Sequence, residues 1–383
     1  MPVSARLHPF GETVFTTITA LADAHDAINL GQGFPNFDGP EFVKAAAAEA
    51  IARGENQYPR PFGVAQLVEA IATRFNTDTG LEADPMAHVT VTSGCTEALA
   101  ATFLGLLDPG DEVVLIEPTY DAYRPDAALA GAVPRYVTLR PPDFRLDPDE
   151  LRAAFSPRTA AIVINTPHNP TGRVFDGEEL TAVAELCHEF DTIAITDEVY
   201  ERMVFAGSHI SLATLEGMWD RTVTLSSLGK SFSLTGWKVG WAIAPEHLTA
   251  GVRAAHQFLT FTTASPMQHG AAAALAAPDS YYDDLRTAYR SRRDLLATGL
   301  TELGFEVHLP AGTYFMLADH TAFGFTDDVA FVKHLIEAAG VAAIPPSAFY
   351  SHKPDGAALV RFAFCKDETT LAAAIDRMAS LRA

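Results

Sequence analysis

Ser226-Ser227-Leu228-Gly229-Lys230-Ser231-Phe232-Ser233-Leu234-Thr235-Gly236-Trp237-Lys238 decides how this 383-residue chain is read. The run before it, Thr222-Val223-Thr224-Leu225, is β-branched and apolar and reads as a buried strand. A lysine just past a strand end, hemmed by Ser and Gly, is poorly explained by packing, and ligands of α/β sheets sit at strand ends. Gly229-Lys230-Ser231 also suggests a phosphate-binding P-loop, but that motif needs a glycine five residues before its Gly-Lys pair. Thr224 stands there, so the P-loop reading fails. On this stretch alone two readings of Lys230 stay open: a nucleophilic amine that bonds to a carbonyl cofactor, and a plain surface lysine.

Composition bounds the class. With 48% apolar and 20% charged residues the chain can build a substantial globular core, and its length allows about two domains. A net charge of -21 argues against nucleic-acid binding, which leaves a basic footprint. Cys95, Cys187 and Cys365 lie far apart with no CxxC pair, and the 13 histidines include no HExxH. No disulfide framework and no metal site is expected, and His188 reads as structural. Met1–Arg6 lacks the apolar stretch of a signal peptide. The longest apolar run, around Ala271–Ala277, falls far short of the ~20 residues a membrane helix needs. A cytoplasmic enzyme is expected.

Val14–Ala24 reads as an amphipathic helix, and Gly31-Gln32-Gly33-Phe34-Pro35 as a loop too rich in Gly and Pro for a regular element. An Ala-rich helix from Pro40 to Arg53 is closed by Gly54 at C′, and the aromatic loop Tyr58–Gly63 precedes a helix over Val64–Phe75. Strands are expected at Val89–Thr92, Glu112–Ile116, Thr159–Ile164, Thr192–Thr196, Thr222–Leu225 and Val239–Ala244. Ser93–Thr96 reads as a tight turn, with helices at Glu97–Leu107 and Gly177–Phe190. This rhythm predicts an α/β fold with a mostly parallel central sheet covered by helices. After a long helix, Tyr281–Leu303, strands at Phe305–Leu309, Gly312–Ala318 and Ala358–Phe364 and helices at Thr326–Ala339 and Asp367–Leu381 predict a smaller α+β domain. The expected division is an N-terminal arm over 1–39 that belongs in part to the small domain, a large domain over 40–280, and a small C-terminal domain over 281–383.

Asp197 ends an apolar strand, where a bare carboxylate is costly unless paired. Tyr200 follows three residues later, Asn169 ends another strand and Lys230 a third. One ligand uses all four types together: pyridoxal 5′-phosphate, which takes a lysine Schiff base and a charged partner at its ring nitrogen. The stretches Asn29–Pro35, Glu117–Tyr123, Asn165–Gly172, Thr196–Glu201, Gly236–Trp241 and Arg361–Phe364 fall in order around the lysine segment. Together they resemble the fold-type-I, class I and II pyridoxal-phosphate-dependent aminotransferases. The resemblance runs from about Val14 to the C-terminus and points to the branch of kynurenine/glutamine transaminases and methionine aminotransferases.

The resemblance implies a role for each residue. Lys230 would hold the cofactor covalently and then shuttle a proton, a service typically worth ~10²–10⁴-fold. Asp197 would keep the ring nitrogen protonated, since a nearby anion favours the charged form. Asn169 and Tyr200 would bond the ring's phenolate oxygen, and Tyr120 would stack on its face. The phosphate would fall to the backbone of Cys95 and Thr96 at a helix N-terminus, and to Ser227 and Lys238. Tyr58 would reach the phosphate of a neighbouring subunit, so a homodimer is implied; the competing reading buries Tyr58 in its own chain. Arg361 would grip the substrate α-carboxylate with its planar fork, helped by Asn165 and Gly33. A structural salt bridge is the other reading of Arg361.

Ala254–Leu285 contains neither Lys nor Arg. Aspartate-type relatives grip a distal carboxylate with a second arginine from this region, so an uncharged side chain is favoured. Phe15, Tyr123 and the run His256–Phe261 suggest an aromatic-lined pocket for Gln, Met, Phe or kynurenine-like donors. Thr262 and Phe15 stand where kynurenine-type members often carry His and Trp, which counts against kynurenine itself. The expected reaction is ping-pong transfer from such an L-amino acid to a 2-oxo acid, with no nucleic-acid or membrane partner. Two alternatives stay open: N-succinyldiaminopimelate as donor, as in many Ala-rich members, and β-elimination from cysteine S-conjugates. A non-enzymatic regulator on this fold would need a basic DNA-binding domain, and the short stretch before Val14 disfavours it.

Overall fold

The computed structural model describes residues 4–382. Its strands are β1 (Ile28–Asn29), β2 (Val89–Thr92), β3 (Glu112–Glu117), β4 (Val133–Thr138), β5 (Thr159–Asn165), β6 (Ile193–Asp197), β7 (Thr222–Ser227) and β8 (Gly240–Ile243). In the C-terminal part follow β9 (Glu306–His308), β10 (Phe315–Asp319), β11 (Val341–Ala342) and β12 (Leu359–Ala363). β2 to β8 form one seven-stranded sheet in the order β2-β8-β7-β6-β5-β3-β4. β3 to β7 run parallel, whereas β8 is antiparallel to both of its neighbours. The lysine segment makes that reversal, leaving the end of β7 and returning as β8. The fold is α/β with a mostly parallel central sheet.

The period of two along each strand feeds two cores. Val113 and Leu115 pack with Ala161, Val163, Ile195, Val223 and Leu225 beneath helices Gly94–Leu106, Tyr123–Ala130 and Glu246–Leu259. Val114 and Ile116 face the other way with Ile162 and Ile164, against helix Gly177–Glu189. Each such fully buried aliphatic side chain is worth roughly 1.5–3 kcal/mol. Beyond the sheet, β12-β10-β9 form an antiparallel three-stranded sheet, and β1 pairs in parallel with β11. Ile18, Ala22 and Leu30 therefore share a core with Phe331, Phe362 and Phe364.

Most expected elements appear within a few residues of their predicted bounds, with Gly54 left-handed (φ +90) at the end of helix Glu41–Arg53. One difference bears on function. The helix expected from Glu97 starts at Gly94, so Gly94, Cys95 and Thr96 are its first turn and not a separate turn before it. Helices Glu246–Leu259 and Ser265–Leu275 and strand β4 add to the expected set. Among the described residues no helix is long and apolar enough to cross a membrane.

Candidate active site

Because β5, β6 and β7 are adjacent and parallel, their C-terminal ends deliver Asn165, Asp197 and Ser227 side by side, with Asn165 in register with Asp197. Lys230 follows within one helical turn, Leu228–Ser231. Cys95 and Thr96 arrive on the helix after β2. These residues, with Tyr120, Asn169, Tyr200 and Lys238, line one cavity of about 190 Å³. Ten of the expected site residues meet there; Tyr58, Gly33 and Arg361 are not in its wall.

Asp197 is buried, and its donors come from two helices and from the turn just after β6. The Tyr123 hydroxyl donates to Oδ2 at 2.7 Å, the Val199 N–H to Oδ1 at 3.3 Å, and the Cys95 thiol lies 3.7 Å from Oδ1. Burial pushes the Asp197 pKa upward, against these donors and the positive charge of Lys230. Burial likewise holds the Lys230 amine below the usual lysine range, which leaves more of it as a neutral nucleophile. Its Nζ stands 5.6 Å from the Tyr200 ring centre and 5.7 Å from that of Tyr314. Tyr123 corrects an expectation: it opens a helix, is 2% exposed, and is spent on Asp197 instead of lining a substrate pocket. The Cys95 thiol is pushed well up by burial and by Asp197, so it stays protonated.

The Asn165 amide donates to the Asp197 carbonyl at 2.8 Å, and its oxygen accepts from the Asn169 N–H at 2.7 Å. Asn165 thus locks the β5 end to the β6 end and sets the Asn169 loop. The Asn169 oxygen accepts from Arg361 Nη1 at 3.2 Å, and Arg361 Nη2 donates to the Gly31 carbonyl at 2.8 Å. Arg361 Nε is buried without a partner, and no carboxylate forms an ion pair with this guanidinium among the described residues, so the structural salt bridge is excluded. Desolvation brings its pKa down to about 10. Rings of Phe315, Phe15 and Phe349 surround it at 4.1, 5.2 and 5.3 Å. Gly33 sits against Phe315, where a Cβ would come within 2.6 Å of the ring, and its carbonyl accepts from the Tyr314 hydroxyl at 2.6 Å.

The first turn of helix Gly94–Leu106 offers N–H groups that lack intrahelical partners. Lys238 adds positive charge, with Nζ 3.1 Å from Thr96 Oγ1. The close approach depends on Gly240, because a Cβ there would meet the Gly94 carbonyl carbon at 2.4 Å and the Cys95 nitrogen at 2.5 Å. The result is a cationic cup beside an amine and a carboxylate, an arrangement that fits pyridoxal 5′-phosphate. Tyr58 is 82% exposed and its ring stands edge-on to Phe261 at 5.4 Å, so burial within its own chain is excluded. Among the described residues no group of three or more His, Cys, Asp or Glu side chains is placed to hold a metal ion.

The model of the aminotransferase class I and II family matches residues 25–378. The chain is 41% identical over 382 residues to the methionine aminotransferase of Escherichia coli, covering 98% of each. It is 41% identical over 395 residues to human kynurenine–oxoglutarate transaminase 1, covering 94% of this chain and 93% of that one. The structure of N-succinyldiaminopimelate aminotransferase from Mycobacterium tuberculosis superposes with a TM-score of 0.97 at 49% identity, covering 99% of this chain and 100% of the other. The chain therefore belongs to the class I and II aminotransferases, enzymes that use pyridoxal 5′-phosphate.

Proposed function

We propose that this aminotransferase moves the amino group of an uncharged, aromatic or sulfur-containing L-amino acid (Gln, Met, Phe or a kynurenine-like donor) to a 2-oxo acid by a ping-pong mechanism. The surroundings of Arg361 carry this reading. A buried guanidinium with an open Nε and no carboxylate partner among the described residues calls for an incoming carboxylate. Its ring of phenylalanines suits an apolar donor. The lack of Lys and Arg over Ala254–Leu285 fits the same donor class.

When bound, the cofactor supplies the electron sink for the carbanion at substrate Cα. Everything else is the work of this chain. Lys230 would hold the cofactor covalently until the substrate's amino group displaced it, and the freed Nζ would then take the Cα proton, for which its lowered pKa suits it. Asp197, fixed by Tyr123, holds the proton on the ring nitrogen. Asn169 and Tyr200 would hydrogen-bond the phenolate oxygen, and Tyr120 would stack on the ring. Ser227, Lys238 and the backbone of Cys95 and Thr96 take the phosphate, while Arg361 with Asn165 and Gly33 orients the substrate. Tyr58 reaches outward to the phosphate of a second copy in a cytoplasmic homodimer, a role its exposure favours. In this reading residues 40–280 are the cofactor-binding domain, since the seven-stranded sheet lies wholly within them. The arm 1–39 and residues 281–383 then make the small domain, which the β1–β11 pairing supports.

A second reading, N-succinyldiaminopimelate as donor, is favoured by the 49% identity to the Mycobacterium tuberculosis enzyme of that name. Half-reactions followed by cofactor absorbance across the amino acids and N-succinyldiaminopimelate decide between them. Conversion by Met, Gln and Phe supports the first reading; conversion by N-succinyldiaminopimelate alone overturns it. Pyruvate and ammonia released from cysteine S-conjugates without an acceptor would reveal β-elimination.

A further inference from the structure

His256 lies on helix Glu246–Leu259 and is fully buried, yet it belongs to neither the cavity wall nor the Arg361 site. Its Nδ1 is 2.6 Å from Glu97 Oε1, and its Nε2 is 2.9 Å from the Pro61 carbonyl. The other oxygen of Glu97 accepts from the Ser93 N–H at 2.5 Å. A carboxylate and a carbonyl are acceptors only, so both ring nitrogens donate and the imidazole carries a positive charge. The Glu97 carboxylate and the Pro61 carbonyl together outweigh desolvation and leave the His256 pKa above its ordinary value.

Glu97 stands at the first turn of helix Gly94–Leu106, the turn that forms the cup beside Lys238. A carboxylate there suits the helix dipole, but it repels any anion seated at the same turn. The Pro61 carbonyl belongs to the loop that also carries Tyr58.

We propose that His256 is a positioning residue for the cofactor's phosphate: its buried positive charge cancels that of Glu97 beside the cup and ties the cup to the Tyr58 loop. This rests on the reading that the phosphate binds at the Gly94–Thr96 turn. The charge logic separates the two partners. Removing the cation leaves a bare carboxylate beside the cup; removing the carboxylate also removes what keeps the buried imidazole charged, so both charges leave together.

The test measures equilibrium binding to the apoenzyme of pyridoxal 5′-phosphate and of pyridoxal, which lacks the phosphate. Wild type, His256→Gln and Glu97→Gln are compared, with the Tm of each apoprotein alongside. His256→Gln is expected to weaken the phosphorylated ligand roughly tenfold or more, as an uncompensated carboxylate beside a bound anion does, and to leave pyridoxal within about twofold. Glu97→Gln is expected to bind the phosphorylated ligand as tightly as wild type or more tightly. Equal losses for both ligands in His256→Gln, or a loss in Glu97→Gln matching that in His256→Gln, would reduce the pair to scaffolding and overturn the proposal. If His256→Gln fails to fold, Glu97→Gln alone still decides: unchanged or tighter binding of the phosphorylated ligand supports the proposal, and weaker binding overturns it. If wild type holds pyridoxal as tightly as its phosphate, the phosphate assignment itself fails and takes this inference with it.

Discussion

Tyr123→Phe removes a single oxygen from beside the carboxylate at the base of the site. In the native chain that hydroxyl donates to Asp197 Oδ2 at 2.7 Å, and both groups are buried. A hydrogen bond to a charged group is worth about 1.5–3 kcal/mol, which corresponds to about 1–2 pKa units. Among the contacts that favour the anionic form of Asp197 it is the largest, and burial has already raised that carboxyl. Without it the Asp197 pKa climbs further. A carboxylate that must stay anionic then protonates at higher pH, so the acid limb of kcat/KM moves upward by up to about 1–2 units. At a pH on that limb the rate falls by up to roughly 10–100-fold, for every amino donor alike. The assay is kcat/KM against pH for one good donor, wild type beside variant. Phenylalanine keeps the ring that packs in the core, so Tm should fall by no more than the few degrees that one such hydrogen bond is worth in a chain of this size. An acid limb that stays in place, or one that moves to lower pH, would refute the reasoning.

Two further outcomes follow from the same geometry. Arg361→Ala removes the fork between Asn169 and Gly31 and should raise KM at least roughly tenfold for every donor tested; an effect confined to one donor would contradict an α-carboxylate role. Gly240→Ala drives a Cβ into the backbone of Gly94 and Cys95, at 2.4 and 2.5 Å, and should cost about 1–3 kcal/mol with a lower apoprotein Tm. An unchanged Tm would mean that the strand and the cup are not held against each other as described.

The strand-end residues were legible because a polar side chain that closes an apolar, β-branched run has no packing reason to be there. Asp197 carries that mark at the end of β6, whereas Lys230 and Asn169 lie three and four residues past the ends of β7 and β5, and all three meet at one cavity. Tyr123 did not carry it: an aromatic opening a helix reads equally well as core or pocket, and only the crossing toward β6 puts its hydroxyl on Asp197. Strand direction is invisible to hydrophobic period, so the reversal at β8 could not be read from Gly240–Ile243. β4 hides for another reason, since Pro134 argues against a central strand and is tolerated because β4 is the sheet edge. β1 and β11, two residues each, are too short to show any period. His256 is the extreme case, with partners 159 and 195 residues away in sequence.

The measurement that bears most directly on this account is borohydride reduction of the holoenzyme followed by peptide mapping. The cofactor label should appear on the peptide carrying Lys230, the amine that burial holds below the usual lysine range in the same cavity as Asp197. Label on Lys238 or any other lysine, or no label on a protein that has taken up the cofactor, would contradict it.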